Sequence, residues 1–423
     1  MSPSPADSIL PGAAQDRRHR AGLAARTVQE MFGARALRLP GTWLGAPAFP
    51  QPGPAAIASG PWHYWWQAHL LDALVDASRR EAAAGGDPEP ARRRAHQLLR
   101  GITVRSGGTV ILNDYYDDMA WLMLAVGRLR RLDEACRAQE KDVLRAGQLL
   151  LGQLRSARTE ELGGGMFWNR RRRYKNAATT GPGCLVAVRT QNEEAAASLL
   201  EWMRTELWDA QRGVFWDGLT MPAQGQDGPQ LETGVYTYNS GPVLGAALEL
   251  AESYAASSDA QRAEPWAQWA AQIVLGADAE FARVVDSPTG GLPGARAETP
   301  VRRRVLRTHG PGDGGLFTGV LTRYLAQAAD SPVLPDEVRA TARRLVLDTA
   351  DALWDGRREY DPGLDVQDHH AKPDPGRIRA IFSADPALSA DATQRVGASL
   401  ELSAQIQAWT ILEAAARMEA TIG

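Results

Sequence analysis

Apolar residues recur at intervals of three and four along most of the chain, and glycine- and proline-rich stretches separate the runs that carry this period. The pattern predicts helices at 15–33, 62–80, 89–101, 114–132, 139–156, 176–189, 191–207, 238–256, 262–280, 314–329, 335–354 and 400–420. Period-two alternation is scarce and confined to short pieces near Val214–Trp216. No shift of composition marks a boundary, and no solenoid repeat of about 34 or 40 residues is visible, so residues 1–423 read as one all-α domain.

The even-numbered helices share a feature that the odd ones lack. Each opens on aromatic, amide, hydroxyl or carboxylate residues before its apolar stripe begins: Tyr64-Trp65-Trp66-Gln67, Tyr115-Tyr116-Asp117-Asp118, Tyr174-Lys175-Asn176, Tyr236-Thr237-Tyr238-Asn239, Gly315-Leu316-Phe317-Thr318, and Ser403, Gln405 and Gln407 in the last. Odd helices such as 139–156 and 335–354 are studded with arginine and glutamate. Helix caps account for serine, threonine and asparagine, but not for tryptophan and tyrosine. Two concentric rings of six helices, an (α/α)6 barrel of six helical hairpins, account for the alternation. The inner ring would turn its N-terminal ends toward one shared cavity while the outer ring faces water.

Composition narrows the classes. Of 423 residues, 44% are hydrophobic and 23% charged, an ordinary globular balance, and the net charge of −3 with interleaved signs gives no pull toward nucleic acid or membranes. The runs Arg170–Arg173 and Arg302–Arg304 read as solvated loops. Cys136 and Cys184 permit one disulfide at most. Met1–Arg20 lacks the apolar core of a secretory signal and no stretch approaches a membrane span, which points to a cytoplasmic protein. The loops Gly163-Gly164-Gly165-Met166-Phe167-Trp168, Arg212-Gly213-Val214-Phe215-Trp216-Asp217-Gly218 and Gly312-Asp313-Gly314-Gly315-Leu316-Phe317 put aromatic rings on tight backbone paths, and flat rings suit the C–H faces of sugars.

Asn113-Asp114-Tyr115-Tyr116-Asp117-Asp118-Met119-Ala120-Trp121 is the most informative segment. Asn113 or Asp114 can cap the helix, which leaves Asp117 and Asp118 unexplained. A retaining glycosidase needs two carboxyls about 5–5.5 Å apart, one nucleophile and one acid/base. At a helix start both side chains can lean over the opening, and their mutual repulsion keeps a proton on one of them. An Asp-Asp pair by itself is a weak signal.

Together the blocks Trp65-Trp66-Gln67-Ala68, Tyr115–Trp121, Tyr174–Ala177, Tyr236–Asn239, Gly315–Gly319 and Gln407-Ala408-Trp409 resemble glycoside hydrolase family 76, the α-1,6-mannanases, over about residues 60–415. The resemblance implies the (α/α)6 barrel and retaining hydrolysis of α-1,6-linked mannan or manno-oligosaccharides, with Asp117 as nucleophile and Asp118 as acid/base. The candidate sugar contacts are Trp65, Trp66, Gln67, Tyr116, Trp168, Lys175, Asn176, Tyr238, Asn239 and Phe317.

Two other readings use the same barrel. An N-acylglucosamine epimerase-like isomerase would need cavity histidines, for which His63, His69 and His309 are the candidates; a non-catalytic sugar-binding protein would need neither aspartate. Asp365, Asp368, His369 and His370 sit in a Pro/Gly-rich loop without the i, i+4 spacing of a helical metal site, and Gly163–Gly165 lacks the rest of a phosphate loop. No cofactor or metal is expected.

Overall fold

The structure is a computed structural model that describes residues 16–138, 140–223, 228–287, 301–363, 373–395 and 397–420. Its twelve long helices follow the sequence pattern closely: α1 (Arg17–Phe32), α2 (Tyr64–Ala83), α3 (Glu89–Arg105), α4 (Tyr116–Ala135), α5 (Lys141–Ala157), α6 (Ala177–Arg189), α7 (Glu193–Trp202), α8 (Thr237–Ala256), α9 (Ala260–Phe281), α10 (Gly314–Asp330), α11 (Asp336–Asp355) and α12 (Leu402–Ala420). The expected helix 191–207 ends as a π turn over Met203–Leu207.

Two burial patterns divide these helices. In α5 only Val143, Ala146, Leu150, Leu154 and Ala157 are buried, a single stripe at the helical period. In α8 every residue from Asn239 to Leu248 is buried, as is typical of a helix packed on all sides. The even helices form a closed inner ring, α2 to α4 to α6 to α8 to α10 to α12 and back to α2, and the odd ones lie outside. This is the (α/α)6 barrel. Five inner helices pair with the outer helix that follows them in sequence. The sixth pair joins opposite ends of the chain, because α1 packs chiefly against α12. Ring closure requires close approach in places. At Gly245 of α8 a Cβ atom would lie 2.5 Å from the ring of Tyr324 on α10, so no larger residue fits that crossing.

Short strands decorate the ends. The largest set pairs β1 (Tyr174–Asn176), β2 (Trp208–Asp209) and β4 (Gln230–Val235) antiparallel with β3 (Val214–Thr220), and β5 (Ala282–Asp286) pairs with β6 (Arg302–Leu306). The run Arg302–Arg304 is therefore strand and not loop, whereas Arg170–Arg173 is the exposed turn that was expected. Arg303 binds Asp351 and Asp355 from β6, Arg304 binds Asp278, and Arg170 donates to the carbonyls of Ile111 and Asn113. Both cysteines are free. Among the described residues no helix is long and apolar enough to cross a membrane.

Inside the ring, away from the polar helix starts, Arg128 of α4 and Arg323 of α10 both bind Asp72 and Asp76 of α2. The two guanidinium groups hold both carboxyls below the usual range against burial, which pushes the other way. Breaking a buried pair leaves an uncompensated charge. Arg128→Ala should therefore lower stability by about 3–5 kcal/mol, measured as an earlier midpoint in urea unfolding; an unchanged midpoint would show that the network is not structural.

Candidate active site

Three backbone or near-backbone hydrogen bonds fix the start of α4. The Tyr115 N–H donates to Asn113 Oδ1 at 2.9 Å, the Tyr116 N–H donates to the Trp168 carbonyl at 2.7 Å, and the Trp168 N–H donates to the Tyr174 carbonyl at 2.8 Å. Tyr115, not Asn113 or Asp114, occupies the cap position, and it makes no side-chain cap. This frees the Asn113 amide for another use.

Asp117 and Asp118 follow in the first turn, and each carboxyl receives one side-chain hydrogen bond. Trp168 Nε1–H donates to Asp117 Oδ2 at 2.9 Å, and Asn113 Nδ2–H donates to Asp118 Oδ2 at 2.8 Å. Among the described residues Asp117 Oδ1 is buried with no partner. Burial, reinforced by the neighbouring Asp118 charge, holds the Asp117 carboxyl well above its ordinary range, although the Trp168 indole and the first-turn backbone N–H groups oppose this. Burial likewise lifts Asp118 to about 7, opposed by the Asn113 amide and assisted by Asp313. Near neutral pH the pair keeps a proton between its two carboxyls.

The pair opens into a cavity of about 470 Å³. Its wall holds two further carboxyls that the sequence pattern does not single out. Asp217 lies where the β3–β4 register shifts, between Trp216 and Gly218, and such a bulge re-aims a side chain. Tyr174 Oη–H donates to it at 2.6 Å, while burial raises its carboxyl above the ordinary range despite the hydroxyl donors Tyr174 and Tyr238. Asp313 Oδ1 accepts from the indole N–H groups of both Trp65 and Trp66, at 2.9 and 2.8 Å, and so ties the start of α2 to the start of α10. Tyr115, Trp121 and Tyr174 complete the aromatic wall. Among the described residues no lysine or arginine lines this cavity.

Of the expected sugar contacts, Trp65, Trp168, Asn176, Tyr238 and Phe317 line the cavity with Asp117 and Asp118. Five others do not. Trp66 is buried beneath the wall, stacked on His63 at 3.8 Å. Gln67 is buried and hydrogen-bonded to both backbone groups of Gly45 and to the Trp62 carbonyl, so it staples a loop to α2. Tyr116 is buried in the core, and Asn239 is fully buried within α8. Lys175 is the sharpest correction. Its ammonium is fully buried and donates to the carbonyls of Thr159, Glu161 and Gly164. Burial, opposed by Glu161 and Glu160, brings it down to about 8. It closes the loop that carries Trp168, in which Gly165 adopts φ +73° and a Cβ atom would meet the Trp202 ring at 2.6 Å.

The histidines do not form an isomerase pair. His69 and His309 lie outside the cavity lining, both lowered to about 4, His69 by burial and His309 by burial with the Arg307 charge; His63 alone reaches the wall. Asp365, Asp368, His369 and His370 lie outside the described residues. Among the described residues no group of histidine, cysteine or carboxylate side chains has the arrangement of a metal site.

The sequence matches the family model of glycosyl hydrolase family 76 over residues 47–386. The chain belongs to glycosyl hydrolase family 76. It is thus a glycoside hydrolase, and the cavity that unites the paired aspartates is the candidate active site of a family 76 enzyme. No curated protein matches the chain. Among solved structures, the GH76A α-1,6-mannanase of Salegentibacter sp. is similar at 24% identity with a TM-score of 0.70, the match covering 95% of this chain and 100% of that one. A family 76 mannosidase of Bacteroides thetaiotaomicron is similar at 18% identity with a TM-score of 0.66, covering 96% and 98%. At these identities the likeness supports the fold.

The raised carboxyls carry a stability cost. For Asp118 the folded state binds more protons than the unfolded chain between the ordinary value of 3.8 and about 7, so stability falls as pH rises through that window and levels off above it. In this family 76 enzyme Asp118→Asn should raise stability at pH 8 by on the order of 2 kcal/mol and change it little at pH 4. Thermal melts at the two pH values test this, and equal effects at both would contradict it.

Proposed function

We propose that this enzyme hydrolyses α-1,6-linked mannosides, in mannan or manno-oligosaccharides, with retention of anomeric configuration. The observation that carries the reading is the cavity's composition: four carboxyls and a wall of aromatic faces, with no lysine or arginine among the described residues. A neutral polyhydroxylated ring binds there without a charge mismatch. The positive charge that develops on an oxocarbenium-like transition state then meets anions and π faces. The Salegentibacter α-1,6-mannanase supports the substrate class. A variant of that enzyme described as inactive, with two adjacent aspartates replaced by asparagine, is known in complex with α-1,6-mannotriose.

In this reading Asp118 holds the proton and Asp117 is the anion. Once Asp118 is protonated, burial still raises Asp117 but the Asp118 charge no longer does, and the Trp168 indole and first-turn backbone N–H groups oppose that burial. Asp118 donates its proton to the glycosidic oxygen as the C1–O bond breaks, and the Asp117 carboxylate forms the bond to C1. The alcohol leaves. Water then attacks C1 of the glycosyl-enzyme, Asp118 takes the water's proton, and the C1–Asp117 bond breaks to restore both groups. A group at about 7 suits this double duty near neutral pH.

The substrate class is tested by incubation with α-1,6-, α-1,2- and α-1,3-linked manno-oligosaccharides, following the first-formed anomer by NMR. Cleavage of the α-1,6 linkage with an α product is expected; a β product would overturn retention, and cleavage confined to another linkage would overturn the substrate. Asp117→Ala should abolish turnover of every substrate. Asp118→Ala should impair unactivated oligosaccharides far more than an aryl mannoside with a good leaving group, on which glycosyl-enzyme should accumulate.

The two hydrogen-bond donors separate the roles further. Trp168→Phe removes a donor that favours the Asp117 carboxylate, so the acidic limb of kcat/KM should move to higher pH. Asn113→Ala removes the donor to Asp118, so the basic limb should move up instead. Interchanged limbs would mean that the two aspartates have exchanged roles.

A further inference from the structure

The inner helices start at the catalytic cavity and end at a second cleft of about 390 Å³ at the opposite end of the barrel. Its lining holds eight arginines against three carboxylates. Five of the arginines are occupied. Arg128 and Arg323 hold the Asp72–Asp76 pair, Arg189 chelates Glu249 at 2.6 and 3.0 Å, Arg80 binds Glu413 at 3.0 Å, and Arg417 binds Asp330 and the Ala326 carbonyl.

Arg18, Arg79 and Arg131 are different. Among the described residues none of the three has a carboxylate within ion-pair distance or a side-chain hydrogen bond. A bland account is that arginines gather here to offset the negative ends of six helices, each worth about half a charge. Arginines used in that way donate to the terminal carbonyls, as Arg417 does, and these three do not. Burial and neighbouring arginines act on two of them, against nearby carboxylates. Arg79 is brought down to about 10 by burial and by the charge of Arg128, and Arg131 is lowered by burial and by the charge of Arg189. The cleft thus concentrates more positive charge than its own carboxylates neutralise.

We propose that this cleft is a binding site, separate from the active site, for a small multivalent oxyanion of the phosphate class, either free phosphate or the phosphate group of a phosphorylated sugar. Guanidinium forks match the oxygens of such a group in pairs and hold it by charge-assisted hydrogen bonds. Thr410, Gln327 and Tyr324 add neutral polar groups to the same wall. The volume exceeds what one phosphate fills, which leaves room for a sugar-sized remainder.

Calorimetric titration of the full chain with inorganic phosphate, glucose 6-phosphate and glucose, at ionic strength held constant with sodium chloride, tests the site. Saturable binding of a phosphate ligand is expected, with none for glucose. Glucose 6-phosphate binding at least tenfold tighter than phosphate would identify an ester as the ligand; equal affinities would identify the free anion. The double variant Arg79→Gln, Arg131→Gln should weaken binding about a hundredfold, roughly tenfold for each guanidinium removed from the anion. Its ligand-free melting temperature should be unchanged or higher, because two repelling charges are gone, and its glycosidase activity should be intact. Absence of saturable binding, undiminished affinity in the double variant, or a ligand-free melting temperature several degrees lower would each overturn the proposal.

Discussion

Two neighbouring carboxyls in a poorly hydrated space cannot both be ionised without a large cost, and much of the catalytic end of this barrel is arranged around that constraint. Asp117 and Asp118 are consecutive, so the backbone cannot separate them. What the fold supplies instead is a distinct donor for each. The indole of Trp168 comes from the loop closed by Lys175, and the amide of Asn113 comes from the turn before the helix. Without those donors burial would leave both groups neutral, and a neutral pair has no nucleophile. The inner-ring geometry contributes as well, because the positive end of a helix faces the charge it must tolerate.

The same ring polarises the molecule from end to end. The starts of five inner helices line a cavity of carboxyls and aromatic faces, and all six contribute to a cleft of arginines at the other end. Each end carries the side-chain charge that its helix termini favour. Between them the core is largely apolar, and the Asp72–Asp76–Arg128–Arg323 network borders the arginine cleft. Charge is placed at the ends because a ring of helices buried on every side has little room for it elsewhere.

The sequence was legible where a regular period acts on many residues. All twelve helices, and the assignment of even ones to the inner ring, follow from apolar spacing and from the residues at helix starts. The cavity was legible in outline for the same reason. Side chains whose role depends on distant partners were not. Lys175 and Gln67 sit within aromatic blocks that resemble ligand-binding motifs, yet both are consumed by backbone carbonyls or amides of the preceding loops, 14 to 22 residues earlier. Asp313 and Asp217 were hidden for the opposite reason. Each looked like loop chemistry beside glycine, and only the tertiary pairing of a bulged strand and a helix start turns it inward. A carboxylate wedged between an aromatic residue and glycine, as in Trp216-Asp217-Gly218, is the one local hint that could have flagged Asp217.

The pairing of α1 with α12 gives the barrel an order of assembly. Five inner helices meet their outer partners within a short stretch of chain, so those contacts can form as synthesis proceeds. The apolar face of α1, with Leu23, Val28 and Phe32, has its main partner in Leu402–Ala420, nearly four hundred residues later. Until that helix is made the ring stays open and α1 exposes a greasy stripe. The interval between the two is when this chain is most vulnerable to aggregation on the ribosome and most dependent on something to shield its first helix.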